Sequence, residues 1–210
     1  MFRTRFLFAL IPLLYVAGSA CSVECGSTPA KEVNLDQWST RSLLSPDQRW
    51  KFLSVGPHST EKKAPLYIQN TETSKKWLIG WIERNGTVFW SGDSKSLFLR
   101  DEYAADDTKI RVFDLTGPAP RELKGLDDTI RPVILTHIPL NHSTLWLKYP
   151  HVCFAANDSS TIVLDADAPF APDNGGSGTS FRLRLTVDLT AIRVVDVVEI
   201  TQRPKTKRTQ

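Results

Sequence analysis

The chain has 210 residues, 23% of them charged and 41% hydrophobic, with a formal net charge of +3. That length can bury a full core and fits one domain, or at most two small ones. Without Arg3 and Arg5 near the start and Arg203, Lys205, Lys207 and Arg208 at the end, 20 basic side chains stand against 23 acidic ones, so the body is near neutral to slightly acidic. A body of that charge argues against a phosphate-binding surface, and no nucleic-acid partner is expected.

Residues 1–20 read as a secretory signal: Arg3 and Arg5, an apolar run from Phe6 to Ala17, then the small residues Gly18, Ser19 and Ala20. The run is shorter than the roughly 20 apolar residues a membrane-crossing helix needs, and Pro12 lies inside it. Cys21 follows at once and leaves two readings open. One is lipidation of Cys21 as in a bacterial lipoprotein, although Gly18 stands where such signals usually carry Leu. The other is ordinary cleavage near Ala20 and a soluble product. Cys21, Cys25 and Cys153 are an odd set, which leaves one thiol over. A lipid on Cys21 frees Cys25 and Cys153 to form a disulfide; the alternative is a Cys21–Cys25 bridge with Cys153 as a small buried hydrophobe. The doubled close spacing of a zinc site is missing, so no metal is expected.

Residues 21–36 are small and polar and read as a linker or tether. Asn34 to Ser42 fits a short helix with Asn34 as N-cap and Leu35 and Trp38 on one face. Beyond it, residues 37–201 form a β-rich domain in which Pro, Gly, Asn and Asp separate runs of strand length. These runs are Trp50–Val55, Leu66–Asn70, Trp77–Glu83, Thr87–Trp90, Ser96–Arg100, Ile110–Leu115, Val133–Ile138, Leu145–Lys148, Val152–Ala155, Thr161–Asp165, Phe181–Leu189 and Ile192–Ile200. Phe181 to Leu189 alternates almost strictly, as a half-buried strand does, and Thr190–Ala191 joins it to the next run as a hairpin. Residues 202–210 are a basic, solvated tail.

Two stretches repeat at an offset of 46 residues: Leu43 to Leu53 and Phe89 to Leu99, each with a Ser-x-Asp turn, Ser45-Pro46-Asp47 and Ser91-Gly92-Asp93. Each runs strand, turn, strand, polar loop, strand, the last being Leu66–Asn70 or Ile110–Leu115. No third clear copy stands out between Thr136 and Asp196. Trp90-Ser91-Gly92-Asp93 followed by Ile110–Leu115 resembles the TolB-like β-propeller repeat, and Ser45-Pro46-Asp47 with Leu66–Asn70 is similar to it. Gln48 and Ser94 depart from that repeat where it has Gly. The resemblance covers residues 43–117 and implies an all-β fold of antiparallel, propeller-like sheets, incomplete or small, in a single domain.

No constellation of catalytic residues stands out, and no cofactor is expected. His137 and His142 flank Pro139 without the spacing of a metal pair. Residues 173–178 lack the strand-before, helix-after context of a phosphate cradle. Asp101, Glu102, Asp106 and Asp107 are an acidic loop better read as solvated than as a calcium site. Trp77 and Trp81 are candidates for an exposed aromatic pair. The functional expectation is an exported, non-enzymatic β-domain that binds a protein or cell-envelope component. It is placed in the periplasm or at the outer membrane of a bacterium, otherwise secreted, and touches membrane only through a lipid on Cys21. The alternative is a secreted hydrolase using His137 or His142 with Asp165 or Asp167.

Overall fold

The computed structural model describes residues 32–56, 63–102, 108–137, 148–155, 158–170 and 179–200. Along the chain run β1 (Glu32–Asp36), β2 (Arg41–Leu44), β3 (Trp50–Ser54), β4 (Ala64–Asn70), β5 (Lys76–Ile82), β6 (Asn85–Trp90), β7 (Ser96–Glu102), β8 (Lys109–Asp114) and β9 (Arg121–Glu122). Helix α1 (Leu126–His137) follows, then β10 (Lys148–Ala155), β11 (Asp158–Phe170), β12 (Thr179–Asp188) and β13 (Arg193–Glu199). Three antiparallel sheets result, ordered β2-β3-β4-β5, β1-β6-β7-β8-β9 and β10-β11-β12-β13. The fold is all-β apart from α1: propeller-like sheets that do not close into a ring.

Period-two alternation makes the β1–β6–β7–β8–β9 sheet the centre of the molecule. Leu97 and Leu99 of β7 face the first sheet with Val88, Trp90 and Phe113, against Phe52, Leu66, Ile68 and Ile82. Phe98 points the other way with Phe89, Ile110 and Val112, against α1 and the third sheet's Ile162, Leu164, Leu183 and Leu185. Phe89 stacks on Phe98 at 4.8 Å and meets Phe154 edge-on at 5.7 Å.

The repeated turns are built alike. In the first, Ser45 Oγ donates to Asp47 Oδ1 (2.7 Å) and accepts from Trp50 N (3.0 Å). In the second, Ser91 Oγ donates to Asp93 Oδ1 (2.7 Å) and accepts from Ser96 N (2.9 Å). Gln48 and Ser94 both have φ 63°, a left-handed conformation that usually favours glycine. Ser94 has a task there that glycine could not perform: its hydroxyl accepts from Asp47 N (2.9 Å), joining the first turn to the second.

The third sheet extends the series. Ser159 hydrogen-bonds to the Asp93 carboxylate, as Ser94 does to Asp47, and it lies 65 residues after Ser94. A third unit is thus present where none was expected. Of the turn motif, only Asp158-Ser159 survives in its sequence.

Two expected elements are corrected. Residues 34–42 are not helical: β1 pairs with β6, Leu35 opposite Gly86, and β2 pairs with β3. Sheet pairing buries Leu35 and Leu43 while Trp38 stays 70% exposed. The strand expected at Val133–Ile138 is instead the end of α1, whose buried residues Leu126, Ile130 and Ile134 recur every fourth position. The β-branched run there mimics a strand, and Pro132 sits inside the helix.

Ser91 is 1% exposed, so Ser91→Ala leaves the Ser96 N–H without its buried acceptor. A loss of about 1–2 kcal/mol is expected, read as a lower urea midpoint with an unchanged slope; Ser45→Ala is expected to behave alike.

Candidate functional site

Where the central and third sheets meet at the turn end, an open cleft of about 500 Å³ lies between them. The central sheet contributes Lys95, Asp114, Arg121, Glu122 and Lys124, and the third sheet contributes Ser159, Ser160, Leu189 and Thr190. Hairpin pairing fixes both walls: Ser96 stands opposite Asp114 in the β7–β8 register, and Leu189 N donates to Ser160 O (2.6 Å).

The carboxylates of the cleft are held ionised. Burial works to raise the Asp114 carboxyl, but hydrogen bonds from Thr116 N and Oγ1 and from Arg121 outweigh it and keep it below the ordinary range. Arg121 Nη2 lies 2.7 Å from Asp114 Oδ2. The paired Arg111 guanidinium, through Nε and Nη2 at 2.7 and 2.8 Å, holds Glu122 below its usual range. Asp93, beside the cleft, also stays below its ordinary value: burial opposes this, and bonds from Ser91, Lys95 N and Ser159 prevail. Lys95 Nζ approaches Asp93 at only 3.6 Å and is 61% exposed. Among the described residues Lys124 makes no ion pair. Lys95 and Lys124 thus supply two exposed ammonium groups to the lining, whereas Thr190 Oγ1 already donates to Asp188 Oδ1 (2.6 Å) and Ser159 is bonded to Asp93. The exposed ammonium groups of Lys95 and Lys124 are the side chains of this lining suited to an anionic group.

The side chains singled out by sequence do not converge on it. Cys21, Cys25 and His142, together with Asp106, Asp107 and residues 173–178, lie outside the described residues. His151 sits on β10 opposite Asp165 in the register. Among the described residues, His137, Asp165 and Asp167 each have other partners. His137 Nδ1 lies 2.9 Å from Val133 O at the end of α1. Asp165 is held by both arms of Arg184 (2.7 and 3.1 Å), and Asp167 by Arg182 Nε and Nη2 (2.5 and 2.9 Å). Asp101 and Glu102 belong to β7 rather than to a loop, and no metal-holding group of three or more His, Cys, Asp or Glu occurs among the described residues. Trp77 and Trp81 do not form a shared face: Trp77 packs against Trp50 at 5.8 Å, while Trp81 is 46% exposed.

No known family pattern matches the chain. A curated relative, a tRNA (guanine-N(1)-)-methyltransferase of Exiguobacterium sp. strain AT1b, is 32% identical over 120 residues, 51% of this chain and 50% of the relative. The chain thus spans about half the length of the curated relative it matches. This match overturns the TolB-like assignment, because a Ser-x-Asp turn specifies local sheet geometry and not descent. It likewise corrects the expected exported protein or envelope binder, the expected absence of a nucleic-acid partner, and the periplasmic, secreted or lipoprotein location, since tRNA is met inside the cell. The basic-then-apolar pattern of residues 1–20 and the cysteine after it are short and unspecific, and the near-neutral total charge gave no sign of Lys95 and Lys124 lining one cleft.

A second polar set lies between the first and central sheets. Arg111, bonded to Glu122, also donates from Nη2 to Ile79 O (2.5 Å). A Cβ on Gly80 would stand 2.6 Å from Arg111 Nη1, which explains a glycine inside β5. Asp101 is buried beside this set, and its Oδ1 has no hydrogen-bond partner among the described residues. The equivalent places in the other units hold Val55 and Ala166. Burial, assisted by Glu83 and opposed by Arg111, pushes the Asp101 carboxyl up from 3.8 to about 6. With a raised folded value, the stability this group contributes is fully present below pH 3.8 and is lost as pH rises through about 6. Asp101→Asn is therefore expected to raise the melting temperature by about 2–6 °C at pH 7.5, with the gain vanishing near pH 4; thermal scans across that range check it.

Proposed function

We propose that the chain binds RNA, with tRNA as the first candidate, through the cleft between the central and third sheets. The observation that carries this reading is the likeness to a tRNA (guanine-N(1)-)-methyltransferase over about half of each chain. The geometry supports it with Lys95 and Lys124, two exposed ammonium groups on the lining of the cleft. Lysines serve phosphate oxygens and fix register without reading sequence. RNA binding is the part of such a relative's action that these groups can supply.

The direct test is fluorescence anisotropy with a labelled tRNA transcript across a salt series. Binding is expected at low salt, with the double variant Lys95→Glu/Lys124→Glu weakening it by about 10-fold or more and flattening the salt slope by about 2. Both side chains are solvent-facing, so folding, followed by circular dichroism, is expected to be unchanged. Absence of tRNA binding at low salt, or binding indifferent to the double charge reversal, would refute the proposal.

A further inference from the structure

The first sheet has one face on the core it shares with the central sheet and one turned outward. Phe52, Leu66, Ile68 and Ile82 fill the inner face, so alternation sends Lys51, Leu53, Pro65 and Tyr67 to the outer one. Residues directly opposite in a register share a face. Tyr67 stands opposite Leu53 on one side and Leu78 on the other, and Pro65 stands opposite Trp81. The row beside Tyr67 runs from Lys51 through Gln69 to Lys76. Trp81 is 46% exposed, Leu78 is 53% exposed and Tyr67 is half-buried.

Charge on this face has one sign. Strands β2 to β5 contain Arg41, Lys51 and Lys76 and no acidic residue. Glu83, just after β5, is bonded to Lys63. The outward face of the third sheet is neutralised instead, with Arg182 on Asp167 and Arg184 on Asp165. Lysine is depleted from the interfaces between proteins. A basic border around exposed aromatic rings is the arrangement that holds unpaired nucleic acid, the cations taking phosphates and the rings taking bases. Tyr67 and Trp81 are diagonal neighbours, at a spacing of about 7–8 Å, whereas stacked bases rise by about 3.4 Å. A strand that lays one base on each ring must therefore be unstacked, which a duplex is not.

We infer that the outer face of the first sheet binds an unpaired RNA strand, with bases on Tyr67 and Trp81 and phosphates at Lys51 and Lys76. Stacking of this kind tolerates any sequence, because every base has a π-face. Strand β5, which carries Trp81, is tied to the central sheet where Arg111 Nη2 donates to Ile79 O (2.5 Å), so the platform is held in place before a strand arrives. The cleft between the central and third sheets shares no residue with this face. The inference rests on RNA as the ligand of the chain and on none of the cleft's side chains.

Anisotropy of a short labelled oligouridine, a strand without pairing of its own, tests this on the full chain at low salt. Binding is expected, and Tyr67→Ala/Trp81→Ala is expected to weaken it by about 10-fold or more, while Lys95→Glu/Lys124→Glu has far less effect. Should the aromatic variant fold poorly, Lys51→Glu/Lys76→Glu keeps both rings and is expected to flatten the salt slope by about 1.4. No oligouridine binding, or binding indifferent to both of these face variants, overturns the platform and leaves the cleft untouched. Oligouridine binding lost with the face variants, beside tRNA binding indifferent to Lys95→Glu/Lys124→Glu, supports the platform and refutes the cleft alone. A dimer seen in sedimentation that Tyr67→Ala/Trp81→Ala dissolves, with oligouridine binding unchanged, makes the face a protein contact and overturns the inference.

Discussion

A sheet that must bury both of its faces has no tolerance for register error, and this molecule is arranged around one. Along β7, Leu97 and Leu99 point into one core and Phe98 into the other, so a slip of a single residue would exchange the contents of both. The flanking sheets each need only one apolar face, and they show it: β3 alternates between buried Trp50, Phe52 and Ser54 and half-buried Lys51 and Leu53. The Ser-x-Asp turns fix where each strand begins, and the hydroxyls of Ser94 and Ser159 fix where each sheet sits on the one before. Register and layer spacing are thus set by the same few polar groups.

Much of this was legible in the residues themselves. Alternation located β12 and most other strands, because one face or both had to be apolar. The turns at Ser45 and Ser91 were visible because their side-chain chemistry is local. The third unit was invisible because Ala155, Ala156 and Asn157 replace most of the motif, and only the bond from Ser159 to Asp93 reveals the equivalence. Residues 34–42 and 133–138 were misassigned for a shared reason. Each is a short stretch whose state is decided by its partner: β6 for the first, and for the second the core between the central and third sheets, into which α1 packs Leu126, Ile130 and Ile134.

The cleft was beyond the reach of sequence reading. Lys95 follows a turn, Lys124 precedes a helix, and Ser159 opens a strand of another sheet; each is unremarkable by itself, and no spacing links them. Summing charge over the whole body concealed them further, since it counts carboxylates that arginines already neutralise, Glu122 by Arg111 and Asp165 by Arg184. What matters for an anionic ligand is the charge left unneutralised at one place.

The seriality of the turns has an evolutionary corollary. The second and third units each offer one hydroxyl, Ser94 and Ser159, to the unit before, so a tandem duplication of such a unit would deliver a copy already carrying its own docking group. Chains of this architecture can therefore lengthen by whole layers more readily than by fractions of one. The interval before the third unit is 65 residues against 46 before the second, and it holds α1.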